Sequence, residues 1–212
     1  MTTRRPRTPG AIATPHARAT RAGEQALRAG GNAIDAALAA AATLCVTYPN
    51  NVALGGDLVA LVRDPAGRTS VVNATGAAPA AQSRARLRSA HGERLPLRGI
   101  DTVTVPGGVR GWEALHGLGA RLSWSEQLAP AVACAEQGVP VPRSVAGAIL
   151  SLRTELRADP GCAALFLPGG TPLAEGELLR QPALAETLRG LQRGGADAFY
   201  RGAIAERWVA GL

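Results

Sequence analysis

The residues able to do chemistry are few and scattered. The 212-residue chain holds three histidines, His16, His91 and His116, and three cysteines, Cys45, Cys134 and Cys162. His16 follows Thr14-Pro15, His91 sits in an arginine-rich stretch, and His116 lies on a helix face; none has the spacing of a catalytic triad or a metal site. A lone His after a proline reads as a hydrogen-bonded turn residue rather than a base. The cysteines are odd in number, far apart and without a CxxC pair, which fits buried thiols in a reducing compartment and not a disulfide framework or a zinc site. No GxSxG elbow occurs, and Gly107-Gly108 and Gly169-Gly170 precede no Lys-Ser or Lys-Thr, so they read as turns and not phosphate loops. From the residues alone this is a soluble α/β chain with no visible nucleophile and base. One stretch stands out for its plainness: Ala74-Thr75-Gly76-Ala77-Ala78-Pro79 has no bulky side chain, as in a tight packing corner or the wall of a small pocket.

Such a loop needs a frame. DLVALVR at 57–63 and TSVVN at 69–73 predict two strands joined by Asp64-Pro65-Ala66-Gly67, with Pro second and Gly fourth as a type I turn prefers. Upstream, Asn32 with Asp35 three residues later predicts a capped helix start. Ala33–Val46 carries only Asp35 and Thr43 as polar residues, so this helix is predicted to be buried on all sides and, being mostly Ala, to lie very close to its neighbours. Gly55-Gly56 marks a backbone that something approaches closely. Ahead of it, GAIATPHARAT from Gly10 predicts a short strand before Thr14-Pro15, and Ala17–Ala29 a helix ended by Gly30.

Downstream, 83–100 reads as a surface helix and loop, and Thr102–Val105 as a strand stopped by Pro106-Gly107-Gly108. Helices are predicted over 109–118, over 124–137 with a Ser123/Glu126 capping box, over 143–157, over 182–193 and from Ala203 onward, with a turn at Asp159-Pro160-Gly161. Trp112 and Trp124 read as packing residues. So few strand signals against so many helices leave a sheet too small, and the expectation is that further strands belong to sequence outside these residues.

A chain of this length can bury on the order of 70% of its extended surface, so a real core is available. Aromatics are only 3%, so small side chains must fill that core. The net charge of +7 invites a nucleic-acid or membrane-surface reading. Against it, no Lys is present, and the arginines are interleaved with Asp and Glu rather than gathered with aromatics; composition bias explains them more simply. Arg4-Arg5 is followed by no apolar run like that of an export signal, and no stretch reaches the roughly 18 apolar residues of a membrane span. The expectation is a cytoplasmic protein without nucleic-acid or membrane partners.

Several strings, in order and across almost the whole chain after residue 10, carry a resemblance: ATPHARAT at 13–20, GGNAIDAALAAA at 30–41, TVTVPGGVRGWEAL at 102–115, WSEQLAPAVACAEQGVPV at 124–141 and LAEGELLRQPALAETLRGLQRGGADAFYRGAIAERW at 173–208. They resemble the N-terminal, large-subunit portion of the gamma-glutamyltransferase (gamma-glutamyltranspeptidase) family. The resemblance implies an α/β (α+β) fold, the αββα sandwich of an N-terminal-nucleophile (Ntn) hydrolase, incomplete in this chain. Residues 1–9 are then a flexible basic N-terminus and 10–212 the N-terminal part of the Ntn-hydrolase domain. Family members are proenzymes that cut themselves before a Thr, which then provides both the attacking hydroxyl and, as its α-amine, the base. That Thr belongs to a C-terminal small-subunit portion, expected as partner, so no catalytic residue is assigned here; neither a metal nor a cofactor is implied.

The resemblance also implies where substrate is read. Glutamyl-processing members carry an Arg-Glu pair ahead of an Ala-Pro in the loop after the hairpin, the Arg holding the substrate α-carboxylate by a bidentate pair. Here Thr75 and Gly76 stand at the pair's positions. The sequence is closer to the N-x-S-G-R-A-P loop of relatives acting on other amides, such as oxamate amidohydrolase, although Ala77 replaces the Arg of that version. Asn73, Thr75 and Gly76 are the substrate-binding candidates by position. The leading reading is the N-terminal portion of an enzyme that transfers or hydrolyses gamma-glutamyl groups of glutathione-type amides. Alternatives are a relative acting on a non-glutamyl amide or peptide, as an amidohydrolase or acylase does, a catalytically inactive remnant, and an enzyme whose C-terminal half is separately encoded.

Overall fold

The computed structural model describes residues 10–212; the basic segment 1–9 lies outside the described residues. In chain order the elements are α1 Ala17–Arg28, α2 Ala33–Thr47, β1 Leu58–Arg63, β2 Thr69–Ala74, α3 Arg84–His91, α4 Gly108–Gly117, α5 Trp124–Gln137, β3 Val139–Pro140, α6 Arg143–Ser151, α7 Arg153–Ala158, α8 Pro160–Phe166, β4 Leu178–Leu179, α9 Pro182–Gly194, α10 Asp197–Tyr200 and α11 Ala203–Ala210. Among the described residues strands pair only locally, β1 with β2 and β3 with β4, both antiparallel. Among the described residues no helix is long and apolar enough to cross a membrane. The chain divides into two units, one of 10–53 and 116–193, the other of 54–115 and 194–212.

In the first unit α2 packs against α1 and α5. Ala22, Ala26 and Ala39 form the α1–α2 contact with Leu122, so small side chains give the close approach expected of an alanine helix. Asn32 starts α2: its Oδ1 accepts from Ile34 N at 2.8 Å, while Asp35 Oδ2 accepts from Asn32 N at 2.7 Å. Asp35 is fully buried and also accepts from Arg121 N at 3.0 Å, Leu122 N at 2.9 Å and Gln127 Nε2 at 2.8 Å. One carboxylate thus caps a helix and fastens a distant loop, with all its charge met by donors. The buried hydroxyls of Thr43 and Thr47 donate to the carbonyls of Ala39 and Thr43. A second core gathers Val139, Val141, Val145, Ile149, Leu167, Leu173 and Leu179.

In the second unit the β1–β2 hairpin forms as its sequence predicts, with Val59 opposite Asn73 and Leu61 opposite Val71. Its turn is closed by Gly67 N donating to Asp64 O at 2.9 Å and by Arg68 Nε donating to Asp64 Oδ2 at 2.7 Å. The strand period of two sends Leu58, Ala60 and Val62 to a half-buried face, whereas Val59, Leu61 and Val71 are 65%, 73% and 63% exposed on the other. Past α10, Phe199 stacks on Trp208, whose Nε1 donates to Phe199 O at 2.8 Å.

Five expectations change. The alanine helix is not buried on all sides: Ala33 and Ala37 are exposed, and with half-buried Ala41 and Leu44 they form one open stripe three to four residues apart. The strand over 102–105 is instead a 3-10 turn, Ile100–Thr102, followed by irregular chain. Only Val105 N finds a strand-like partner, Ala77 O at 2.9 Å, and Pro106 has no N–H to continue a ladder. The N-terminal strand is absent from the described residues; there Thr14 Oγ1 donates to His16 O and helps to start α1. The helix over 143–157 breaks at Leu152, where Ser151 Oγ donates back to Ala148 O and competes with the backbone ladder. Asp159-Pro160-Gly161 is no turn but the start of α8: Asp159 caps it by accepting from Cys162 N, and Pro160 occupies the first helical position, where its fixed φ suits.

Candidate functional site

Asn73, Thr75 and Gly76 occupy the exit of the hairpin. Asn73 lies on the exposed face of β2, in line with Val71, and its Oδ1 accepts from Thr75 N at 3.3 Å, bending the chain out of the strand. Thr75 is exposed. Gly76 has φ +82°, and a Cβ there would fall 2.2 Å from Val105 O, so both backbone conformation and space require glycine. Gly107 meets the loop from the other side: a Cβ on it would lie 2.1 Å from Ala74 O and 2.7 Å from Gly76 N. The hydrogen bonds from Val105 N to Ala77 O and from Gly108 N to Gly56 O, both 2.9 Å, lace this second segment to the loop and to the approach to β1. The three positional candidates are therefore together, on a loop held from behind.

Chemically the loop offers an amide, a hydroxyl and backbone groups, and no formal charge. It can hold a neutral polar or carbonyl-bearing group by hydrogen bonds, but it has no guanidinium fork for a carboxylate. On the following helix Arg86 and His91 are engaged: both contact Asp101, His91 through Nε2 at 2.7 Å. Arg86 first and His91 second hold the Asp101 carboxyl down to about 2. A cavity of about 480 Å³ between Pro79, Val105 and Trp208 has Arg86 and Asp101 in its wall, with Gln82 Nε2 donating to Asp101 O at 2.9 Å, so these three groups are engaged with one another.

No described group forms a nucleophile with its base. His16 Nδ1 accepts from Arg18 N as the cap of α1, and burial, with the Arg18 charge second, lowers its pKa. His116 Nδ1 meets Gln127 Oε1 at 3.0 Å, and its ring stands edge-on to Trp124. All three cysteines are free, and burial raises each thiol, Cys45 to about 12, so none is a thiolate at neutral pH. No cluster of three metal-ligating side chains exists among the described residues.

Sequence reasoning missed the bracing behind the loop. Tyr200 Oη accepts from Arg110 N at 3.1 Å and donates to Pro106 O at 2.8 Å, and Arg110 lies over the Tyr200 ring at 4.8 Å. Pro106-Gly107-Gly108 was legible as the break before a helix, although Gly108 opens α4 where the sequence predicts a turn. What it approaches was not, because its partners lie far away in sequence.

Comparison with known proteins supplies the frame for this loop. A family model described as Gamma-glutamyltranspeptidase matches residues 19–212. The chain is 42% identical to an oxamate amidohydrolase proenzyme of Klebsiella pneumoniae over 97% of its own length and 40% of that protein. It is 35% identical to a glutathione hydrolase proenzyme of Bacillus subtilis over 93% of its own length and 34% of that protein. The crystal structure of Helicobacter pylori gamma-glutamyltranspeptidase matches with a TM-score of 0.89 at 29% identity, covering 93% of this chain and 58% of that one. The chain thus spans well under half of the curated relatives it matches, and its mixed helix-and-sheet fold is part of the Ntn-hydrolase fold. By the residues matched and the fold shared, the chain belongs to the gamma-glutamyltranspeptidase family, of which it is an N-terminal portion.

Proposed function

We propose that residues 10–212 form the N-terminal part of one Ntn-hydrolase domain, completed by a C-terminal portion that carries the nucleophilic threonine. The complete enzyme transfers or hydrolyses the acyl group of a small amide, gamma-glutamyl amides of the glutathione type being the family reading. The threonine Oγ attacks the amide carbonyl while its own α-amine takes the hydroxyl proton and passes it to the departing amine. Water or an amino-acid amine then attacks the resulting ester and frees the threonine. The observation that carries this reading is the family match over 19–212. The uncovered apolar face of Val59, Leu61 and Val71, at the end of which Asn73 and Thr75 sit, supports it as the surface on which the C-terminal portion seats. Maturation by self-cleavage and a cytoplasmic location belong to the same proposal.

A second reading is favoured by a specific feature. The loop presents Asn73, Thr75 and Gly76 and no arginine, which suits an amide lacking the glutamyl α-carboxylate, and the oxamate amidohydrolase proenzyme is 42% identical to the chain. Thr75→Arg in the complete enzyme discriminates between the two. If the loop faces substrate, the new guanidinium improves kcat/KM for a gamma-glutamyl anilide by roughly tenfold or more relative to oxamate, as a charge-assisted pair is worth about 1.5–3 kcal/mol. An unchanged ratio would place the loop away from the substrate.

A further inference from the structure

We infer that Tyr200 is a positioning residue for the substrate loop, fixing Thr75 and Gly76 through the Pro106–Gly108 segment. This rests on the reading of 73–79 as a substrate loop. Pro106 has no N–H, so its carbonyl is the backbone handle left to it, and Tyr200 Oη donates to that carbonyl at 2.8 Å while accepting from Arg110 N at 3.1 Å. The phenol is itself clamped. Arg110 lies over its ring, pairs with Asp197, and reaches Glu113 Oε2 at 2.7 Å; Phe199 meets the ring edge-on at 5.2 Å. α10 is a single turn, so Asp197 and Tyr200, three residues apart, share a face and grip the same arginine.

From Pro106 the constraint passes to the loop without slack. Gly107 is packed so closely on Ala74 O and Gly76 N that not even a methyl group fits, and Val105 N and Gly108 N are hydrogen-bonded to Ala77 and Gly56. A shift of Pro106 must move Gly76 or break those bonds, because a close-packed contact transmits displacement rather than absorbing it. Misplacement of binding groups by about 1 Å is enough to weaken substrate positioning.

The test uses the protein as its host produces it, comparing wild type, Tyr200→Phe and Thr75→Val. Tyr200→Phe keeps the ring over Arg110 and removes only the hydroxyl. Amide hydrogen exchange at Val105 and Gly108 is expected to rise roughly five- to tenfold, with α2 and α5 amides unchanged. KM for an oxamate or gamma-glutamyl anilide probe is expected to rise roughly threefold or more with kcat nearly constant; a merely structural defect would lower kcat in proportion to the folded fraction and leave KM fixed. Asp197→Asn, which loosens Arg110 and leaves the phenol, is expected to give the same pattern more weakly. If Thr75→Val alters KM while Tyr200→Phe changes neither KM nor the two amides, this inference alone is overturned. If Thr75→Val leaves KM unchanged, the substrate reading of the loop falls, and this role falls with it.

Discussion

Helix α2 and the hairpin β1–β2 are both strongly apolar, and they treat that surface in opposite ways. Around α2 all but a narrow stripe of alanines is enclosed, with α1 and α5 packed against it, and the single carboxylate in its first turn collects four donors. No buried side-chain polar atom among the described residues lacks a partner. The hairpin covers one face and leaves Val59, Leu61 and Val71 open. The first unit therefore encloses most of its apolar helix, whereas the second offers an apolar sheet face beside a tightly packed loop. The positional binding candidates Asn73, Thr75 and Gly76 lie on the unit with the open face.

The largest effect is expected at Asp35. Asp35→Ala strands four donors, the Gln127 amide among them fully buried, and is expected to cost about 3–5 kcal/mol in urea denaturation. A loss under about 1 kcal/mol would show that the helical unit does not depend on this clamp. The same carboxylate sets an acid limit. Burial pushes its pKa up, but the N–H groups of Asn32, Leu122 and Arg121 and the Gln127 amide together bring it below the ordinary value of 3.8. Its contribution is then fully present above the unfolded value and fades as pH falls through the lower folded value. Stability should drop as pH falls below about 4 in the wild type and less so in Asp35→Ala, read from urea midpoints against pH.

Ala39→Leu probes the enclosed packing, and overfilling the α1–α2 contact is expected to cost about 1–3 kcal/mol by the same measurement. The smallest folding effect should come from the open face. Replacing Val59, Leu61 and Val71 together by Thr is expected to change folding stability by no more than about 0.5 kcal/mol per site, while reducing self-association of residues 1–212 in light scattering and weakening capture of a C-terminal portion. A folding loss as large as that of Ala39→Leu would mean that the face is covered within the chain.

What was legible in the sequence was local. The Asn32/Asp35 and Ser123/Glu126 capping boxes and the hairpin turn at 64–67 each lie within a few residues, and each formed as its spacing predicts. The same local logic reads Asp159-Pro160 as a helix start, and there the turn reading gave too little weight to Pro at the first helical position. The bonds from Arg121, Leu122 and Gln127 to Asp35, and from Tyr200 to Pro106, join residues 86 to 94 positions apart. No periodicity or spacing rule reaches that far. The position of the candidate loop could be read through family resemblance, but its support from Gly107 and Tyr200 became visible only in three dimensions.

On the proposed reading, residues 1–212 bring a substrate loop and a sheet face, and the nucleophile comes from the C-terminal portion. The most direct test is to assay purified residues 1–212 with a gamma-glutamyl anilide and with oxamate, alone and after addition of the C-terminal portion. No product above the buffer rate is expected from 1–212 alone, and turnover only when the threonine-bearing portion is present. Sustained turnover by 1–212 alone would contradict it.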